Sequence, residues 1–257
     1  MKCRKACTKA LLSLSLTPAG KTIDSFTRDI KLVRDNPALL QTFYEYISIK
    51  YGVRCEVGIG LVERMIMVNS FKQLMDIDDP TNDLVNKKIL LYRWIGPEHL
   101  EIENVEKNVL ENISEGFKGL SFLQTPTEKI SCIMNIIEKL YESIGRNEGQ
   151  DKILPSIIYC IIKSSVPNMY LEARFMVLYR RKHTEKCNER CNHGLNIEVD
   201  CECLLNRIYD EREVSYYLTS VQAAVDFIRR MEFYDLKISE GEFYRNIMDA
   251  MELVRDS

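Results

Sequence analysis

The sequence is short of the residues that interrupt regular structure, with 11 glycines, 7 prolines and a single tryptophan in 257 residues. It lacks alternating strand pairs with hairpin turns and any repeat of fixed period, which leaves little room for a β-sandwich, a propeller or a solenoid. Histidine is scarce: only His99, His183 and His193 are present, so a Ser-His-Asp or Cys-His arrangement has few candidates. There is no Walker loop, no GxGxxG after a strand, no GxSxG elbow and no HExxH helix, and covalent hydrolase or transferase chemistry is not expected. No window approaches the roughly 20 apolar residues of a membrane span. An excess of one charge is missing too. With 35 Lys and Arg against 38 Asp and Glu, the net charge of -3 offers no general attraction to a phosphate backbone, so nucleic acid is not an expected partner.

What is present is helical spacing and enough chain for a self-sufficient core. In "TPTEKISCIMNIIEKLYESIG", Thr125 suits an N-cap, Pro126 the first helical position and Glu128 the third place of a capping box. Ile130, Ile133, Met134, Ile137, Leu140, Tyr141 and Ile144 then recur at steps of three and four until Gly145. "SYYLTSVQAAVDFIRRME" carries an apolar face of Tyr217, Val221, Ala224, Val225 and Ile228, with Arg229 and Arg230 near its negative end. "TIDSFTRDIKLVRDNPALLQTFYEYISIKYG" and "EVGIGLVERMIMVNSFKQLMDI" read as further amphipathic helices, "DLVNKKILLYRWI" as a shorter one closed by Gly96 and Pro97, and "ENVEKNVLENISEGFKGLSFL" as another. In "GQDKILPSIIYCII" periodicity alone fits a buried strand or a buried helix; the helical neighbours favour helix, with Pro155 expected to start it. The expected fold class is all-α, a compact multilayer of helices.

The basic start, with Lys2, Arg4, Lys5 and Lys9 ahead of "ALLSLSL", has the outline of a signal or transit peptide. Ser13 and Ser15 break its short apolar part, which favours a basic tail or first helix. The nine cysteines are scattered over a chain that should not need staples and read as mostly reduced thiols of an intracellular protein. Four lie in the polar stretch "RRKHTEKCNERCNHGLNIEVDCECLLNRIYDERE". There Cys187, Cys191, His193, Cys201 and Cys203 are candidate ligands for a structural zinc ion, set against the alternative of a flexible insertion with incidental thiols, because CxxxC and CxC are not the usual CxxC pairs.

The order "RWIGPEHLEI", "TPTEKISCIMNIIEKL", "DKILPSIIYCIIKSSVPNM" and "EVSYYLTSVQAAVDFI" resembles the vacuolar-protein-sorting-nine domain, the catalytic module of guanine nucleotide exchange factors for Rab-five-type small GTPases. The resemblance runs from about Tyr92 to Glu232. It implies an exchange domain over 91–232 with a cysteine-rich insertion at 181–211 and, before it, a supporting helical bundle over 23–90; a basic N-terminal tail over 1–22 and a C-terminal helix over 233–257 complete the expected organisation.

Residue by residue, the family's "D-x-x-L-P" turn is matched by Asp151, Leu154 and Pro155. The resemblance implies that the Asp151 carboxylate enters the nucleotide site of the GTPase, pairs with its phosphate-binding lysine and opposes the magnesium ion. The family's "E-x-x-Y-Y-x-T" is matched by Glu213, Tyr216, Tyr217 and Thr219, which implies Tyr216 and Thr219 as contacts to the switch region and Glu213 as a support that orients the loop. Pro155 belongs to the same GTPase-binding set. Without the resemblance, Asp151 reads as a helix N-terminal charge and the tyrosine pair as packing. The chain departs from the family at Lys152, where a second acid is common, at Glu172, where asparagine is common, and at the cysteine-rich insertion.

The function expected is therefore promotion of GDP release from a Rab-five-type GTPase in endosomal or vacuolar trafficking. It needs no cofactor, and the protein is cytoplasmic and reaches endosomal membranes by recruitment only. Two alternatives stay open: a helical adaptor that binds an endosomal GTPase without exchange, and a metal-stabilised interaction scaffold.

Overall fold

A computed structural model describes residues 2–145, 150–181, 195 and 209–255. Twelve α-helices and short 3-10 segments account for most of these residues, and no strand occurs among them. The fold is all-α, as the spacing implied. By its internal contacts the chain divides into two units: Met1–Ile77 with Gln124–Glu128 and Phe175–Ile208, and Asp78–Leu123 with Lys129–Arg174 and Tyr209–Ser257.

The first unit holds α1 (Lys2–Ser15), α2 (Pro18–Arg28), α3 (Ile30–Asp35), α4 (Ala38–Tyr51) and α5 (Glu56–Met75). Of the stretch 1–22, expected as a basic tail or first helix, residues 2–15 and 18–22 lie in α1 and α2, where Ala10, Leu14 and Ala19 are buried. Thr17 caps α2 by accepting from the Gly20 amide at 3.0 Å. The two helices meet so closely that a Cβ on Gly20 would lie 2.1 Å from the Leu14 carbonyl oxygen, so only glycine fits. Gly52, at φ 68°, ends α4 in the left-handed conformation.

Helix α5 is buried almost continuously from Val57 to Met67, and α1 to α4 all pack on it. A helix apolar around its whole circumference belongs in the middle of a bundle; each fully buried aliphatic chain such as Leu61 or Ile66 contributes about 1.5–3 kcal/mol. Leu195, at 4 % exposure, is part of the same core.

One carboxylate sits inside this core. Glu63 accepts from the Thr127 hydroxyl at 2.9 Å and faces Arg181 Nε at 3.5 Å. Arg181 is further fixed by donating to Thr127 Oγ1 at 3.1 Å and to the Glu56 carbonyl at 2.9 Å. Burial pushes the Glu63 carboxyl up, with Arg181 and Thr127 pulling the other way.

The later helices are α6 (Pro80–Leu91), α7 (Lys107–Ser114), α8 (Pro126–Ile144), α9 (Gln150–Ser164), α10 (Met169–Tyr179), α11 (Glu211–Arg230) and α12 (Glu240–Arg255). The stretch expected as one helix at 103–123 is α7 followed by a 3-10 segment, Glu115–Phe122, where Gly116 and Gly119 weaken α-helix propensity. Helix α8 opens on the expected capping box: the Glu128 amide donates to Thr125 Oγ1 at 3.2 Å, and Thr125 Oγ1 donates to Glu128 Oε2 at 2.9 Å.

Helix α9 is the centre of the second unit. Ile157, Ile158, Tyr159, Cys160, Ile161 and Ile162 are all buried, and α6, α7 and α11 pack around them. Pro155 does not start this helix, as expected from sequence, but lies inside it, because α9 begins at Gln150. The Asp151 carbonyl therefore has no amide hydrogen to accept from at the position four residues on.

A buried ion pair joins α8 and α10. Lys129 Nζ is 2.7 Å from Glu172 Oε2, with side-chain exposures of 0 and 6 %, and it also donates to the Leu120 carbonyl at 2.6 Å. Burial raises the Glu172 carboxyl, opposed by Lys129. Trp94 stands edge-on to His99 and Phe243, with centroids 5.4 and 5.8 Å away, which anchors α12.

Candidate functional site

The first turn of α9 carries Asp151, and its side chain is exposed. Immediately after it the helix turns inward: Ile153 is 2 % exposed and Ser156 0 %, while Leu154 between them remains 37 % exposed. The acid is thus held at the outer end of a deeply buried helix.

Helix α11 packs against α9 and displays a second set of residues. It starts four residues earlier than the apolar spacing suggested, because Asp210 caps it by accepting from the Arg212 and Glu213 amides at 2.8 and 3.4 Å. Val214, Leu218, Val221, Ala224, Val225 and Ile228 face inward. Glu213, Tyr216 and Thr219 lie on the exposed side, with Tyr216 at 53 % exposure. Glu213 is therefore on the first helical turn.

The phenol of Tyr216 is set by neighbouring rings. Its centroid is 5.1 Å from that of Tyr217, which is in turn 6.0 Å from Tyr141 on α8. Burial raises the Tyr217 hydroxyl, reinforced by its hydrogen bond with Tyr141. Thr219 Oγ1 donates back to the Ser215 carbonyl at 2.8 Å.

Pro155 and Leu154 line a groove of about 390 Å³, completed by Ile158, Phe227, Tyr234 and Leu236, with charged residues such as Glu101, Asp235 and Lys237 on its walls. The groove takes in Pro155 among the expected site residues; Asp151, Tyr216 and Thr219 are not on its walls. Phe227, Tyr234 and Leu236 were not singled out in the sequence. Tyr234, 72 % exposed, carries no local signal that would have marked it.

Glu172 is in the core, held by Lys129, and is not part of the exposed set. The candidate zinc ligands Cys187, Cys191, His193, Cys201 and Cys203 lie outside the described residues. Among the described residues, Cys132 and Cys160 are free thiols, and no helix is long and apolar enough to cross a membrane.

Residues 110–196 match the family model of the Vacuolar sorting protein 9 (VPS9) domain. This segment resembles the VPS9 domain. The VPS9 match contains Asp151, Pro155 and Glu172 and ends before Glu213, Tyr216 and Thr219, so it is narrower than the span of about 92–232 expected from the motifs. Relatives extend further. The chain is 23% identical over 242 residues to a "Rab5 GDP/GTP exchange factor" of Homo sapiens, covering 86% of this chain and 44% of that protein. It is 24% identical over 207 residues to "Vacuolar protein sorting-associated protein 9A" of Arabidopsis thaliana, covering 75% of this chain and 35% of that one. The chain thus spans less than half the length of these relatives.

Proposed function

We propose that this protein promotes GDP release from a Rab-five-type small GTPase, with Asp151 as the residue that enters the nucleotide site. The observation that carries the reading is an exposed carboxylate, within a VPS9 match, at the outer end of a helix that is buried from Ser156 to Ile162. The name of the human relative, an exchange factor for Rab5, supplies the partner class.

A small GTPase holds its nucleotide through backbone amides, a lysine and magnesium around the phosphates. A protein that offers those positive groups a replacement carboxylate stabilises the empty state, and by reciprocity its binding weakens nucleotide binding by the same factor. No proton transfer and no cofactor enters this scheme. Tyr216 and Thr219, exposed on α11, are the proposed switch-region contacts, Glu213 supports the start of that helix, and the groove at Pro155 receives apolar side chains of the partner. Recruitment from the cytoplasm to endosomal membranes accompanies this role. The departure at Glu172 does not favour an adaptor reading, because the ion pair with Lys129 accounts for it.

Release of fluorescent GDP from a panel of endosomal Rab GTPases tests the proposal. The unmodified protein should accelerate release from at least one of them. Asp151→Ala should lower that rate by about tenfold or more, the equivalent of about 1.4 kcal/mol, with unchanged helicity by circular dichroism. Tyr216→Ala should weaken productive binding. No acceleration on any GTPase of the panel, or a normal rate from Asp151→Ala, overturns the reading.

A further inference from the structure

Helix α12 is held to the second unit mainly by one side chain. Among its described residues only Phe243 is buried, with its ring centroid 5.8 Å from that of Trp94 and 6.1 Å from that of Tyr92. Asn246, Ile247 and Ala250 are half-buried. A helix of 16 residues is marginal in water by itself and owes its stability to the packing of an apolar face. A second face of α12, away from the core, is apolar as well. Tyr244, Met248 and Met251 follow one another at steps of four and three, which places them on one stripe, and they are 47, 64 and 41 % exposed. The Tyr244 ring is set in place by Phe243 and Phe233, with centroids 5.4 and 6.4 Å away, so a partner meets an anchor already positioned.

The charges bordering the stripe favour a second copy of the same helix. Arg245 and Glu252 lie along one flank, and Glu240 and Arg255 lie near its two ends; all four are exposed. Two copies of α12 laid antiparallel about a two-fold axis at Met248 bring Arg245 beside Glu252 of the other copy and Arg255 beside Glu240 of the other copy, and symmetry makes each contact twice. Tyr244 then meets Met251 of the other copy, and Met248 meets its own counterpart. A parallel pair sets Arg255 against Arg255, a like-charge contact that opposes it. Tyr, Met and Arg are the residue types enriched in interfaces. With four acids against two arginines, α12 does not suit an anionic lipid surface.

We infer that α12 is a self-association surface through which two copies of this chain pair as an antiparallel helix dimer. A seam along one helix of about 24 Å belongs with the interfaces below about 1,200 Å² in total, so the dimer is weak and reversible, with a dissociation constant on the order of 10–100 μM. None of Asp151, Tyr216 and Thr219 takes part, and the inference does not rest on the exchange reading.

Sedimentation equilibrium of the full chain over about 5–500 μM tests it, and the mean mass should rise reversibly from one chain towards two. Met248→Glu, at an exposed position that does not threaten folding, puts two like charges on the axis and should weaken the dimer about tenfold or more, with helicity unchanged by circular dichroism. Arg245→Glu and Glu252→Arg each make both flank contacts repulsive and should each lose about fivefold. Mixing these two variants restores opposite charges at both contacts, so a mixed dimer should form about as tightly as the parent dimer; a parallel pairing or a non-specific apolar contact gives no such rescue. A chain still monomeric at about 500 μM, which would leave the face to a different protein, a dimer undiminished by Met248→Glu, or a mixture no tighter than the separate variants overturns the inference.

Discussion

Replacing Lys129 with methionine removes the ammonium 2.7 Å from Glu172 Oε2 and the donor to the Leu120 carbonyl. Neither side chain reaches solvent, so water cannot stand in. Removing one member of a buried pair costs about 3–5 kcal/mol, because the other charge stays in apolar surroundings. At about 2–4 °C per kcal/mol for domains of this size, the melting temperature should fall by roughly 6–20 °C. Burial already raises the Glu172 carboxyl, and Lys129 is what holds it down. Without that lysine Glu172 escapes by taking up a proton, so the penalty should be largest at neutral pH and shrink towards about pH 5. Lys129→Met combined with Glu172→Leu removes both charges and should return to within about 1 kcal/mol of the parent, or above it. Urea midpoints of the parent, the two single variants and the double variant, at pH 7 and 5, close the cycle, with a coupling of about 3 kcal/mol expected. A loss below about 1 kcal/mol for Lys129→Met at pH 7, or a double variant no better than the worse single one, would refute the reasoning.

Three further outcomes follow from the same structure. Glu63 releases its proton near the ordinary 4.5 when unfolded but holds it to higher pH in the fold; the fold therefore binds more protons in that window, and this contribution to stability is lost as pH rises from about 4.5 through the raised value. Glu63→Gln should flatten that slope in urea midpoints measured across the window, and an unchanged slope contradicts the assignment. Thr125→Ala, which breaks the box with Glu128, should cost about 1 kcal/mol, readable as a lower urea midpoint at constant m-value. The Cys160 thiol, 0 % exposed and pushed up to about 12 by burial, should resist a thiol reagent until the protein unfolds; peptide mapping that finds Cys160 labelled in native protein goes against this.

The helices were legible where their signals were local. Thr125, Pro126 and Glu128 announced the start of α8 because capping chemistry is confined to four residues, and the 3-4 spacing of its isoleucines fixed the buried face. The start of α11 was placed too late because Asp210, its cap, falls in a polar stretch with no apolar rhythm. Pro155 was misplaced because its default position is the first helical turn, and a single sequence does not reveal that α9 extends five residues ahead of it. Lys129 and Glu172, like Glu63 and Arg181, were invisible as pairs: a charged residue in a helical pattern reads as solvated until a distant helix brings its partner. The exposed placement of Asp151 was readable at the lip of an apolar run. The groove was not, since His99, Leu154, Phe227 and Tyr234 come from four separated segments.

Pro155 within α9 has a consequence for how the acid could meet a partner. The ring removes the one backbone bond that would tie Asp151 to the turn beyond it, and the residues ahead of it carry the unpartnered amides of a helix start. Residues 150–152 can therefore shift locally at little free energy while Ile153 and Ile157 to Ile162 stay locked. The prolyl ring acts as a mechanical fuse: in the proposed exchange role, a docking GTPase would reshape the turn that bears Asp151 without transmitting strain to the core.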